Sequence, residues 1–138
     1  MIVVDASAIT ELLLQTALGT RVEQRLYRKD DDLHAPHLLD VEVLSALRRL
    51  VHSGEILPER AAEAIQDLVL LRVVRHAHLD LATRAWELRQ NFTVYDAMYL
   101  ALAESLDATV ITCDGPFGAA PGHPVRIEVI RPRYVHGG

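Results

Sequence analysis

Ile2-Val3-Val4-Asp5-Ala6-Ser7 is the stretch whose reading decides the fold. Its continuous apolar run suits a short central strand covered on both faces, as in a parallel sheet. The run stops at a carboxylate, and Ser7 to Ala17 then reads as a helix stopped near Gly19. Outward from there, a second short helix is expected from about Thr20 to Arg28. The acidic patch Lys29-Asp30-Asp31-Asp32 reads as a solvated turn, and Leu33 to Ala35 as a brief strand closed by Pro36. His37 to Ser53 forms a long helix with Gly54 as its stop. Pro58 opens the next helix, to about Leu70, at the position proline tolerates best. Arg72 to Arg75 reads as a strand, and Leu79 to Gln90 and Val94 to Leu106 as helices. Thr109 to Cys113 is a β-branched strand broken by Gly115-Pro116. Ile127 to Ile130 is an edge strand ended by Pro132. Strands alternating with helices predict an α/β fold with a small, mainly parallel sheet. The 138 residues suit one domain spanning 1–138, with a frayed tail from residue 134 to the Gly137-Gly138 end.

Bulk properties narrow the function classes. Half of the residues are hydrophobic, which excludes a disordered chain. A formal net charge of −5 argues against a strong nonspecific nucleic-acid binder. It leaves room for an enzyme that grips a few phosphates through a metal and a local arginine cluster. The single cysteine, Cys113, permits no intramolecular disulfide and fits a reducing compartment. No basic region followed by a long apolar stretch opens the chain, and no apolar run approaches the ~20 residues of a membrane helix. A soluble, cytoplasmic protein with no membrane partner is the expectation.

Four carboxylates stand where buried elements begin or end. Asp5 ends Ile2-Val3-Val4, and Asp114 ends Val110-Ile111-Thr112-Cys113. In parallel sheets ligands gather at the carboxyl ends of strands, so the site is expected there. Asp5 could equally N-cap the following helix, and Asp114-Gly115 is also a turn signal. On a wheel of residues 94–106, Tyr99, Leu100, Ala103 and Leu106 define the apolar face, and Asp96 falls near its middle. Macrodipole stabilisation of about 0.3–1 kcal/mol is too small to explain a core-facing charge there. Asp40 and Glu42 lie about 200° apart on their helix, so both cannot easily serve one site. The wheel does not choose between them, and Glu42 could simply pair with Arg49. No lysine or arginine lies near Asp5, Asp96 or Asp114 in sequence, and a metal ion is the simplest missing partner.

Val3-Val4-Asp5-Ala6-Ser7-Ala8, Ala35 to Val43, Tyr95 to Glu104 and Ile111-Thr112-Cys113-Asp114 together resemble the PIN-domain ribonucleases. They are most similar to the small VapC-type toxins of toxin–antitoxin pairs. Order and spacing match from residue 1 to about 130. The resemblance implies a PIN-like three-layer α/β/α fold and a metal-dependent endoribonuclease. It maps the acidic positions onto Asp5, Glu42, Asp96 and Asp114 and the usual hydroxyl onto Thr112, and assigns Glu42 rather than Asp40. Asp5, Asp96 and Asp114 are then metal ligands, and Glu42 orients water or acts as general base. A further acidic residue after Asp114, present in some members, is absent. An all-oxygen site suits Mg2+, with Mn2+ possible, better than zinc. The implied partners are an RNA substrate, a cognate VapB-type antitoxin and a second copy in a homodimer.

Arg48-Arg49, Arg25-Arg28-Lys29, Arg84-Arg89 and Arg131-Arg133 are the candidate RNA contacts, and Leu12, Leu13, Leu14 and Leu18 a candidate groove or dimer face. Rival readings fare worse. An aspartate-dependent phosphatase wants a second aspartate where Ser7 stands, and no Gly-x-Gly-x-x-Gly follows the first strand. A degenerate PIN-like domain that only binds or regulates is the non-enzymatic alternative, and four filled acidic positions argue against it.

Overall fold

The computed structural model describes residues 1–133. The predicted frayed tail, 134–138, lies outside the described residues. Five strands, β1 (Ile2–Val4), β2 (Leu33–Pro36), β3 (Val74–His76), β4 (Thr109–Thr112) and β5 (Ile127–Val129), pair in the order β3-β2-β1-β4-β5. Every pairing is parallel. The helices are α1 (Ala6–Leu14), α2 (Ala17–Leu26), α3 (Leu38–His52), α4 (Pro58–Leu70), α5 (Ala82–Glu87), α6 (Val94–Leu106) and α7 (Gly115–Ala119). Right-handed crossovers put α1 to α4 on one face, because β1 to β3 progress in one direction, and α5 to α7 on the other. Packing agrees: α1 lies against α2, α3 and α4, while α6 lies across β1, β2 and β4. The result is a three-layer α/β/α fold.

Ile2, Val3 and Val4 are all buried, as a strand covered on both faces requires. They join Ile9, Leu39, Leu47, Leu100 and Ile111 in one core, each contributing about 1.5–3 kcal/mol. The direction of strand progression reverses between β1 and β4. That is the switch point where the carboxyl ends of two strands leave a crevice. No helix among the described residues is long and apolar enough to cross a membrane.

Several boundaries differ from the sequence reading. The first helix ends at Leu14, not near Gly19, because Gln15 turns left-handed and the Thr16 hydroxyl caps α2 at the Gly19 N–H, 2.9 Å away. The second helix therefore starts at Ala17, three residues early. Gly19 sits inside it for a different reason: a Cβ there would lie 2.0 Å from the Glu11 carbonyl oxygen. The third strand falls at Val74–His76 rather than Arg72–Arg75, since its register sets His76 opposite Pro36. The helix expected over Leu79–Gln90 is a 3-10 turn (Leu79–Leu81) followed by the short α5. After α5 the chain tightens into bonds between residues three apart, such as Asn91 N–H to the Leu88 carbonyl. Gly115-Pro116 opens α7 instead of merely breaking a strand, with Asp114 capping the Phe117 N–H at 3.2 Å.

The Gly19 contact predicts that Gly19→Ala destabilises the protein by about 1–3 kcal/mol, since the obstructing atom is backbone and α1 must move off α2. Urea unfolding checks it; a wild-type midpoint would show that the two helices do not depend on this approach.

Candidate active site

Four elements deliver carboxylates to one cleft of about 750 Å³ at the carboxyl edge of the sheet. Asp5 comes from the end of β1, Glu42 from the second turn of α3, Asp96 from the first turn of α6 and Asp114 from the end of β4. Helices α1, α6 and α7 begin at these carboxylates, so their N-terminal N–H groups partly offset the negative charge.

Asp5 is 7% exposed and carries the densest hydrogen bonding. Its Oδ1 accepts from the Ser7 hydroxyl at 2.7 Å and from the Ala8 N–H at 3.1 Å, and its Oδ2 accepts from the Thr112 hydroxyl. Helix capping and site membership, alternatives in the sequence, are thus one arrangement. Burial nevertheless pushes the Asp5 carboxyl from 3.8 up to about 6, against the lowering effect of those bonds, with Asp114 adding repulsion. Ser7 and Thr112 lock the strand ends together. Thr112 Oγ1 accepts from the Asp114 N–H at 2.9 Å, Ser7 Oγ accepts from the Cys113 N–H at 2.9 Å, and the two hydroxyls lie 3.2 Å apart.

Glu42 and Asp96 are half-buried, and both are held above the ordinary carboxylate range. Burial is the larger cause in each; then Asp96 repels Glu42, and Asp114 repels Asp96. Glu42 does not pair with Arg49. Its Oε1 accepts from the hydroxyl of Tyr99, 2.7 Å away, a residue 1% exposed. Asp40 is held by Arg75 at 2.7 and 2.9 Å through two nitrogens and does not line the cleft. Tyr99 was legible in the sequence only as a member of the apolar face; its position one turn after Asp96 was the available signal.

Among the described residues, none of Asp5, Glu42, Asp96 or Asp114 forms an ion pair. Nor do three His, Cys, Asp or Glu side chains stand close enough there to hold a metal as placed. The donor set still fits a hard dication: carboxylate and hydroxyl oxygens dominate the polar lining. Cys113 lines the cleft, where burial, then Asp5 and Glu11, push its thiol up to about 12 and disfavour the thiolate. Of the candidate groove residues, Leu13 is core, Leu12 and Leu14 pack against the core, and Leu18 lines the cleft. His34 and His76 touch at 2.9 Å between ring nitrogens on neighbouring strands, away from the carboxylates.

The family model of the PIN domain matches residues 2–122. The chain belongs to the PIN domain family. Within it, the chain groups with the VapC proteins. It is 43% identical over 130 residues to Ribonuclease VapC1 of Mycobacterium tuberculosis (strain ATCC 25618 / H37Rv), covering 94% of this chain and 97% of that one. Ribonuclease VapC12 of the same strain is 39% identical over 94% of this chain and 99% of its own length. Two solved structures share the PIN fold. Mycobacterium tuberculosis VapC20, a sarcin-ricin-loop-cleaving toxin, superposes with a TM-score of 0.67 at 20% identity, over 88% of this chain and all of that one. The DNA-bound VapBC of Salmonella typhimurium gives 0.65 at 17% identity, over 93% and 96%.

The raised Asp5 pKa makes a stability prediction for this PIN domain. Its folded value lies above its unfolded one, so the fold favours the protonated form. That contribution is complete below about pH 4 and lost as pH rises through about 6, amounting to about 3 kcal/mol. In chelator, the stability of wild type relative to Asp5→Asn is expected to fall by up to that amount between pH 4 and pH 7.5. Urea titrations of both proteins at the two pH values decide it; a constant difference would mean that Asp5 ionises without penalty.

Proposed function

We propose that this chain is a metal-dependent endoribonuclease, a VapC-like toxin that hydrolyses RNA phosphodiester bonds, built as one PIN domain over residues 1–138. One observation carries the reading: four carboxylates from four separate elements line a single cleft, with no cation paired to any of them among the described residues. A purely structural cluster would carry its own arginines, as Asp40 does. The VapC relatives named ribonucleases support the chemistry.

Asp5, Asp96 and Asp114 are the residues that would hold Mg2+ or Mn2+. Such an ion supplies charge neutralisation at the phosphate, polarisation of the phosphoryl group and acidification of water. Around it, the chain's own groups have separate tasks. Thr112 and Ser7 fix both oxygens of Asp5 and prevent its rotation. Tyr99 holds one oxygen of Glu42 and leaves the other to take a proton from the attacking water. A carboxylate held above its usual range is a stronger base for that role than a solvated one.

Purified protein is expected to cleave RNA with Mg2+ and to lose cleavage in chelator. Asp5→Asn and Asp96→Asn should each lose roughly hundredfold or more in kcat/KM. Tyr99→Phe should lose roughly tenfold, in kcat rather than KM, because it positions the base without meeting substrate. Near-wild-type cleavage by both aspartate variants would reject the assignment.

The reading extends to partners. A VapB-type antitoxin is supported by VapBC complexes among structures of the same fold; on this reading it places a basic residue among the carboxylates, and the chain forms a homodimer. Sedimentation of the isolated chain is expected to give twice the mass of the 138-residue protomer. A single-protomer mass at micromolar concentration would remove the dimer.

A further inference from the structure

Five carboxylates line the cleft, counting Glu11 with the four above, and among the described residues one basic side chain joins them: Arg49. Three of the other candidate arginines are engaged elsewhere. Arg25 pairs with Glu128, Arg84 pairs with Glu87 and Glu104 at 3.0 Å each, and Arg89 lies 4.7 Å over the Trp86 ring. Arg49 is exposed and forms no ion pair or side-chain hydrogen bond among the described residues. It stands seven residues after Glu42 on α3, two turns along the same face, with Ser45 and Ala46 between them on the cleft wall. No ion pair joins Arg49 to Glu42, and Arg49 is not among the groups that act on the Glu42 carboxyl, so its charge is free for an incoming anion.

The opposite lip carries Tyr95, the residue before Asp96. It is 62% exposed yet lines the same cleft. An aromatic side chain left mostly in water beside a carboxylate cluster contributes little burial to the folded chain, and it offers a flat face to a base. A phosphate grip and a stacking platform on either side of a cleft are the two elements that single-stranded nucleic acid needs. Duplex RNA would not present an unstacked base to Tyr95.

We propose that Arg49 and Tyr95 form a substrate subsite that binds one nucleotide of single-stranded RNA, Arg49 taking a phosphate neighbouring the scissile one and Tyr95 stacking on a base. The subsite rests on the nuclease reading and adds to it the two residues that grip the strand beyond the carboxylates, one cationic and one aromatic. Ser45 leaves α3 small between the base Glu42 and the grip Arg49, so the strand can lie along the helix.

The test is steady-state cleavage of an unpaired RNA oligonucleotide with Mg2+ across a salt series, by wild type, Arg49→Ala, Arg49→Lys, Arg48→Ala, Tyr95→Ala and Tyr95→Phe. Arg48 is exposed on the same helix but does not line the cleft, so its variant is the charge-matched control. Arg49→Ala should raise KM about tenfold with kcat nearly kept, and flatten log(kcat/KM) against log[salt] by about 0.7, one single-strand phosphate contact. Arg49→Lys should restore most of the slope, and Arg48→Ala should leave it unchanged. Tyr95→Ala should raise KM about tenfold without altering the slope, and Tyr95→Phe should match wild type. A salt slope equal in wild type and Arg49→Ala, with wild type active, overturns the subsite and leaves the nuclease reading standing. So does an equal loss in both Arg48→Ala and Arg49→Ala, which would show only bulk charge. If Arg49→Ala instead relieves inhibition by a protein partner while RNA kinetics stay at wild type, the grip belongs to a protein and the proposal fails. Absence of cleavage by wild type itself, with every RNA tried, rejects the nuclease reading and the subsite with it.

Discussion

The molecule is organised around a carboxylate that the fold buries with no cation paired to it among the described residues. Asp5 sits at the end of the central strand, 7% exposed, and three hydrogen bonds plus a helix N-terminus leave its pKa near 6. Desolvation outweighs everything the chain supplies to stabilise the charge. A structural requirement alone would be met more cheaply by asparagine or serine, both good caps with no charge to desolvate. On the proposed reading the acid is a reserved ligand position, where the stabilising charge arrives from outside and the metal-free state carries the strain.

Topology explains why this strain is concentrated in one place. The strand order reverses at β1 and β4, so their two carboxyl ends open side by side instead of being capped by a crossover. Asp5 and Asp114 follow from that alone. Glu42 and Asp96 approach from opposite helical layers, and one contact connects them: the Tyr99 hydroxyl on α6 reaches across to Glu42 on α3. A buried phenol needs a hydrogen-bond acceptor, and a half-buried carboxylate needs a donor. Each meets the other's requirement, and the layer spacing at the site is set by a polar contact rather than by packing alone.

This shows why some of the site was readable and some was not. Asp5 and Asp114 are marked by runs of strand residues that stop at an acid, and Asp96 by a charge on an apolar helical face. All three are local signals. Glu42 has no local signal. The wheel left it open against Asp40, and what separates them is non-local: Arg75 on β3 takes Asp40, while Tyr99 takes Glu42. Family resemblance assigns Glu42 where periodicity leaves the two open, and the cleft lining includes Glu42 and not Asp40. The misplaced boundaries have the same origin. Glycine is a good helix stop in general, but Gly19 is small because the Glu11 carbonyl lies against it, and Thr16 starts the new helix first. The third strand slides toward His76 because its partner strand, not its own sequence, sets the register.

Acting on RNA, as proposed, would set an acidic chain a further constraint. With a net charge of −5 and five carboxylates in the cleft, long-range attraction is absent, and a polyanion approaching the bare site meets repulsion. On the proposed reading, dication and RNA must therefore favour each other's binding, since each removes part of the charge that opposes the other, and that coupling is reciprocal. Affinity then comes from few contacts: the ion at one end of the cleft, Arg49 about two helical turns away, and Tyr95 at the lip. A site so sparse cannot hold any RNA tightly by its backbone alone. Discrimination falls to whichever strands can place an unpaired nucleotide at all three points together, so shape around the cleaved bond matters more than the number of phosphates presented.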